Sequence, residues 1–152
     1  MLRISKMTDY AVVILTELAN GGQEADTASA LAERTRLAQP TVSKLLKTLQ
    51  AAGIVRSIRG RNGGYALVSS PNRVTLTTII EAVEGPIAMT ECALESGRCE
   101  IETDCSVRPH WRLINGAIRE ALNDLTLDEL GQKPIKPDST ASINDICVSE
   151  RN

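Results

Sequence analysis

A chain of 152 residues has room for one domain of ordinary size, or for a small domain with an appended arm, and the second is expected here. Apolar residues make up 42% of it, yet there is no Phe, one Trp and two Tyr, so the core must be filled by aliphatic side chains, the usual state of helical proteins. The start, MLRISKMTDY, lacks the apolar run of a signal peptide, and no stretch approaches the roughly 20 apolar residues of a bilayer span. A cytoplasmic protein without a membrane partner is therefore expected. The net charge of −2 hides a division: residues 1–73 carry ten Lys or Arg against five Asp or Glu, and residues 74–152 carry seven against fourteen. From Arg34 to Ile80 there are eight basic residues and no acidic one. Positive charge segregated in this way is compatible with nucleic-acid binding despite the acidic total.

In chain order, Tyr10, Val13, Ile14 and Leu18 recur at helical spacing over residues 8–19, and Gly21-Gly22 stops the helix. Thr27 can cap a second helix reaching about Arg36. After a turn at Arg36-Leu37-Ala38, Pro40 suits the first position of a third helix ending at Gly53, with Val42, Leu45, Leu46 and Leu49 buried. Thr41, Ser43, Lys44, Lys47 and Thr48 are then left outward. Residues 54–58 and 65–68 are β-prone runs around the turn Arg59-Gly60-Arg61-Asn62-Gly63-Gly64, which makes a hairpin. Three helices followed by a hairpin is the winged form of helix-turn-helix.

Residues 76–84 read as a fourth helix capped by Thr75 and ended by Gly85-Pro86. A loop with no sustained period follows. From Pro109 the period returns, with Trp111, Ile114, Ile118, Leu122 and Leu125 forming a seam narrow enough to suit pairing between two copies. Thr126-Leu127-Asp128-Glu129 is a capping-box pattern that opens one more helical turn. The fold expected is mainly α, a winged helix-turn-helix DNA-binding domain (1–73) with a connecting helix (74–88), a cysteine loop (89–106) and a long C-terminal dimerisation helix (107–131). The tail, 132–152, has the composition of a disordered segment, and Cys147 within it is an incidental thiol.

A helix in the major groove needs short polar or cationic side chains on its free face. Thr41, Ser43, Lys44 and Lys47 supply them, while Arg56, Arg59 and Arg61 on the wing can reach the backbone or minor groove. The competing reading is a solvated basic face that binds protein instead.

Cys92, Cys99 and Cys105 fall within fourteen residues of a chain with one other cysteine. Thiolates are soft donors that suit iron–sulfur clusters, zinc or copper(I). Spacings of six and five residues between them are looser than the pairs of zinc ribbons, and suit a larger object such as a cluster. A structural zinc site and a metal-free thiol switch remain open. Glu91, Glu95, Glu100, Glu102 and Asp104 crowd this loop against one cation, Arg98, and excess negative charge lowers a cluster's reduction potential.

The start LRISKMTDYA, the helix TVSKLLKTLQAAGIV, the wing RGRNGGYAL and the three-cysteine loop together resemble the bacterial winged-helix iron–sulfur regulators of the IscR and NsrR type, the Rrf-two family. The loop CALESGRCEIETDC is most similar to the branch that regulates the SUF iron–sulfur assembly operon. The resemblance covers residues 1 to about 130. It implies a homodimer, a partly palindromic operator in double-stranded DNA, and an iron–sulfur cluster, 2Fe–2S rather than 4Fe–4S, held by Cys92, Cys99 and Cys105. It also implies that Arg59 is the wing arginine that contacts DNA. Ser43 stands where IscR has an acidic residue linked to its choice of operator class. The family completes its cluster either with a histidine three residues after the last cysteine or with an acidic residue from the partner's amino-terminal segment. Arg108 occupies the first position and the only histidine is His110, whereas Asp9 matches the second, which puts Asp9 ahead of His110, with Glu102 or Asp104 behind.

The rival from another class is a small iron–sulfur redox protein. No Ser-His or Cys-His pairing, phosphate loop or cofactor fingerprint supports an enzyme, no small-molecule substrate is implied, and an electron carrier has no use for a basic wing.

Overall fold

The structure is a computed structural model that describes residues 4–22, 24–90 and 105–132. Helix α1 (Lys6–Asn20) starts two residues earlier than its apolar period, because Ser5 caps it by accepting the Thr8 N–H. Helix α2 (Ala28–Thr35) is capped by Thr27 and ends at Arg36, which takes left-handed geometry (φ 57°) to turn the chain into α3 (Gln39–Ala51). Strands β1 (Val55–Ile58) and β2 (Gly64–Leu67) pair antiparallel, with Val55 opposite Leu67 and Ile58 opposite Gly64. A 3-10 turn, Pro71–Arg73, leads to α4 (Leu76–Glu84), capped by Thr75. Beyond the undescribed segment come α5 (Arg108–Asn123) and α6 (Leu127–Gly131). The capping box at Thr126 and Glu129 forms with both reciprocal bonds.

One core holds the winged part together. Ile14, Leu15 and Leu18 of α1, Leu31 of α2, and Val42, Leu45, Leu46 and Leu49 of α3 are its centre. Ile79 of α4 and Leu127 of α6 belong to the same cluster and are fully buried. Thus α6 is not a continuation of the arm. The chain reverses at Asp124–Leu125, where Leu125 O accepts the Leu76 N–H and Val74 O accepts the Leu127 N–H, each at 2.8 Å. A Thr75–Thr126 bridge aligns the two runs and returns Leu127 to the core. The C-terminal arm is therefore the 16-residue α5 and not one helix over 107–131.

The hairpin is fastened to the segment before α2 by a second bridge. Asp26 N–H donates to Tyr65 O at 2.9 Å, and Tyr65 N–H to Asp26 O at 2.8 Å. This approach leaves no room for a side chain at residue 64, where an added Cβ would lie 2.4 Å from Asp26 O. At residue 63 a Cβ would lie 2.4 Å from Ile58 O, so both glycines of the wing are sterically required.

No described helix is long and apolar enough to cross a membrane.

Candidate nucleic-acid interface and cysteine segment

Helices α2 and α3 are the helix pair of a helix-turn-helix, and α3 displays Lys44 and Lys47 to solvent. Thr41, Ser43 and Thr48 are half-buried, not fully outward, since α2 packs against α3 and narrows its free face. The Thr48 hydroxyl also donates to its own helix at Lys44 O. Sequence patterning did not reveal how α3 begins. Helices α1, α2, α4 and α6 each have a Ser or Thr side-chain cap, whereas α3 starts at Ala38 with none. Its first turn thus keeps the uncompensated positive end of the helix dipole, which favours an anion such as phosphate.

Arg59 and Arg61 are exposed at the tip of the hairpin, between β1 and β2. Arg56 lies elsewhere. Successive strand residues point to opposite faces, and Ser57 faces α3, where its hydroxyl accepts from Gln50 Nε2 at 3.4 Å. Arg56 shares the other face with its cross-strand partner Ala66, and both line a hollow with Ala19, Gly22 and Ser70. The structure therefore groups Lys44 and Lys47 on α3 and Arg59 with Arg61 at the wing tip, and sets Arg56 on the reverse of the wing.

The acid-free window also overstates the free positive charge. Arg34 makes a two-pronged contact with Asp26, Nη1 to Oδ1 at 3.0 Å and Nη2 to Oδ2 at 2.6 Å, and its Nε lies 3.4 Å from Glu17 Oε2. The Asp26 bond above all holds the guanidinium pKa above its ordinary value. Both acids lie outside the window, so only the fold reveals this pairing.

Helices α1 and α4 meet through Glu84. In a capping box the third helical residue returns a carboxylate to the cap's N–H. In α1 that position is Thr8, which cannot do so, and Glu84 Oε1 accepts the Ser5 N–H at 3.0 Å from 79 residues away. The buried Thr8 hydroxyl donates to the same oxygen. These bonds, the Thr8 hydroxyl first, hold the Glu84 carboxyl below its usual range. Asp9 is exposed in the first turn of α1, one residue from this contact, and Glu84 is the last residue of α4 before the chain heads for the cysteines.

Cys105 is half-buried and a free thiol, and its carbonyl accepts the Arg108 N–H at 3.3 Å as α5 begins. His110 is exposed in the first turn of α5. Cys92, Cys99, Glu91, Glu95, Arg98, Glu100, Glu102 and Asp104 lie outside the described residues, as does the tail with Cys147. Three thiols carried on one segment are a donor set of the kind that holds iron–sulfur clusters.

On α5, Trp111, Ile118 and Leu122 are half-buried and Ile114 is 44% exposed, and Leu125, in the turn after the helix, is 41% exposed. Leu113 is 72% exposed. The apolar seam is thus left open within one chain.

The profile of the Rrf2 family, described as iron-dependent transcriptional regulators, matches residues 4–133. The chain belongs to the Rrf2 family. It is 35% identical to the HTH-type transcriptional regulator CymR of Bacillus subtilis over 130 residues, 85% of this chain and 89% of that one. The solved structure of that protein, described as the global cysteine regulator of its organism, superposes with a TM-score of 0.68 at 36% identity, covering 86% of this chain and 97% of the other. The regulator IscR of Pectobacterium carotovorum is 32% identical over 130 residues, 85% of this chain and 79% of that one. The structure of IscR from T. potens matches with a TM-score of 0.62 at 27% identity, over 84% of each chain. This Rrf2 protein is therefore a DNA-binding transcriptional regulator and not an enzyme, with the winged-helix fold of those structures.

Proposed function

We propose that this Rrf2 regulator is a homodimeric repressor that senses iron–sulfur cluster status or redox stress through Cys92, Cys99 and Cys105 and controls iron–sulfur assembly genes of the SUF type. The observation that carries this reading is the three-thiol segment joining α4 to α5 in a member of a family described as iron-dependent. When bound, a cluster of the 2Fe–2S type supplies a redox-active centre that oxidation or iron shortage can remove.

Asp9 is the fourth donor in this scheme, ahead of His110. A carboxylate is harder than thiolate and a weaker partner for iron, which makes the centre easily lost, a useful property in a sensor. Dimerisation uses the open seam of α5, and the paired wings read a partly palindromic operator with half-sites about one DNA turn apart. Lys44, Lys47, Arg59 and Arg61 meet the DNA, with Thr41 and Ser43 closest to base edges, while Arg56, on the reverse of the wing, stays off this surface. The joints between α4, α1 and α5 then let the state of the thiols bias the separation of the two recognition helices. Such coupling is reciprocal, so operator DNA also changes cluster affinity.

One observation favours a second reading: identity to CymR is as high as identity to IscR. In that case the thiols, free or on zinc, respond to sulfur or redox status without a cluster. Anaerobic purification followed by iron, zinc and acid-labile sulfide analysis and a visible spectrum separates the two. Coloured protein with iron and sulfide that is lost in Cys92→Ser is expected. Colourless protein carrying zinc or no metal supports the second reading and removes the first.

A further inference from the structure

Asp26 joins the wing to α1 and α2. Its backbone makes the pair of bonds to Tyr65 that fastens β2, and the next residue, Thr27, caps α2 by accepting the Ala30 N–H. Its carboxylate takes the two-pronged bond from Arg34 in the last turn of α2, and Glu17 of α1 steadies the same guanidinium. Asp26 Oδ2 also lies against the end of α1, where a Cβ added at Gly21 would meet it at 3.0 Å. The Asp26 side chain is 20% exposed and that of Arg34 is 41% exposed. An ion pair this open adds little to stability. A planar guanidinium that grips both carboxylate oxygens nevertheless fixes orientation, which a single hydrogen bond does not.

Tyr65 stands opposite Ser57 in the hairpin, and Ser57 is the residue that accepts from Gln50 near the end of α3. Both fastenings of the wing thus fall on one rung, the β2 edge tied to Asp26 and the β1 edge tied to α3. Past that rung the tip with Arg59 and Arg61 projects by roughly 7–10 Å, two to three residues at the rise of an extended chain. A rotation of about 20° at the rung, within the spread of strand twist, moves the tip by about 3 Å, enough to break a phosphate contact.

We infer that Arg34 is a positioning residue for DNA binding: by gripping the Asp26 carboxylate it holds the rung between Asp26 and Tyr65, and with it the direction in which Arg59 and Arg61 are presented beside α3. Arg34 itself stays off the DNA. This rests on the reading that the wing arginines meet phosphate. Without the grip the backbone bonds to Tyr65 remain, but their angle is no longer set and binding must order the wing anew. Ordering long side chains that were previously preset costs roughly three- to tenfold in affinity.

The test uses the full chain, each variant shown folded by circular dichroism, and fluorescence anisotropy with a mixed-sequence duplex of about 30 base pairs, which spans two half-sites a turn apart. At low salt, phosphate contacts register on such a duplex whatever its sequence. Arg34→Leu should bind about three- to tenfold more weakly with an unchanged salt slope, and its Tyr65 amide should exchange hydrogen faster. Asp26→Ala discriminates by sign. It removes a negative charge and releases Arg34, so a charge effect alone would tighten binding, whereas loss of positioning weakens it as in Arg34→Leu. In an Arg59→Ala, Arg61→Ala background neither change should weaken binding further, because the tip no longer reaches phosphate. A residue with only a packing role would lower the melting temperature and leave affinity unchanged. Unchanged affinity in Arg34→Leu, a slope reduced by about 0.9 for each Arg34 removed, an additive loss in the wing-tip background, or tighter binding by Asp26→Ala overturns the role of Arg34 alone. Wild-type affinity and slope in Arg59→Ala, Arg61→Ala overturn the wing reading and this role with it. Should Arg34→Leu fail to fold, Asp26→Ala decides the matter by the same criteria.

Discussion

Removing Glu84 should weaken the protein more than its exposed position suggests. Its Oε1 accepts both the Ser5 N–H that starts α1 and the hydroxyl of Thr8, which is fully buried. Glu84→Ala leaves the Ser5 N–H to water and leaves Thr8 with a single side-chain partner, Ser5 Oγ at 3.3 Å. Hydrogen bonds to a charged group contribute about 1.5–3 kcal/mol. The carboxylate itself is exposed, so solvent screening reduces this to about 1–2 kcal/mol. For a chain of this size that corresponds to a fall of roughly 3–8 °C in melting temperature. Glu84→Gln keeps a neutral acceptor and should lose about half as much.

Proton linkage gives Glu84 a second signature. Its folded pKa lies below the ordinary value, so the charged form stabilises the fold above the usual carboxylate range, and that contribution disappears as pH falls through the folded value. The gap between wild type and Glu84→Gln in urea unfolding should therefore be constant from pH 7 to pH 5 and close below about pH 4. A gap of zero at pH 7, or one that persists unchanged at pH 3, would refute the assignment of Glu84 as the acceptor that completes the α1 cap.

Four further outcomes follow from the same geometry. Lys44→Ala with Lys47→Ala should flatten the dependence of log affinity on log salt by up to about 3.6 for a dimer, at about 0.9 per lost phosphate contact, measured by fluorescence anisotropy with an operator duplex. An unchanged slope would place both lysines off the DNA. Gly64→Ala forces a Cβ against Asp26 O and should cost about 1–3 kcal/mol in urea unfolding, with the wing freed from the segment before α2. Wild-type stability in that variant would mean that the bridge between Asp26 and Tyr65 gives way at no cost. Ile114→Asp with Ile118→Asp should convert a dimer to a monomer in sedimentation velocity at micromolar protein, and an undisturbed dimer would assign the interface to another face. Glu100→Gln with Glu102→Gln should move the reduction potential of a loaded protein upward, and no movement removes the acidic residues as the cause of a low potential.

Much of the fold was legible because its signals are local. Thr75 and Thr126 announce their helices within three residues, and the apolar periods of α1, α3 and α5 need no knowledge of partners. The joints were not legible, because each depends on a contact between distant residues. Nothing near Ser5 announces that Glu84 will complete its cap, and nothing near Asp26 announces that Tyr65 will bridge to it. Leu125 looked like one more position of a continuous seam, yet the chain turns there and sends Leu127 into the core. At the candidate DNA surface the sequence supplied the cations but not their availability. Arg34 is occupied by Asp26 and Glu17, and Arg56 falls on the reverse of the wing, since side-chain alternation in a four-residue strand is set by a register that only the folded hairpin reveals. Asn115, buried on α5, attracted no notice within an amphipathic helix, because its partners, the Met89 N–H and Ile87 O, are backbone groups more than 25 residues earlier.

The state of the three thiols should govern the protein's hold on DNA. The direct measurement is operator affinity at fixed salt under anaerobic conditions, for cluster-loaded protein and for the same preparation after chelation of its iron, with a Cys92→Ser, Cys99→Ser and Cys105→Ser protein alongside. The loaded and stripped forms should differ by at least fivefold, the lower end of ordinary allosteric coupling, and the triple variant should behave as the stripped form whether or not iron is supplied. Equal affinities for loaded and stripped protein would leave a DNA-binding Rrf2 regulator whose cysteines serve some other purpose.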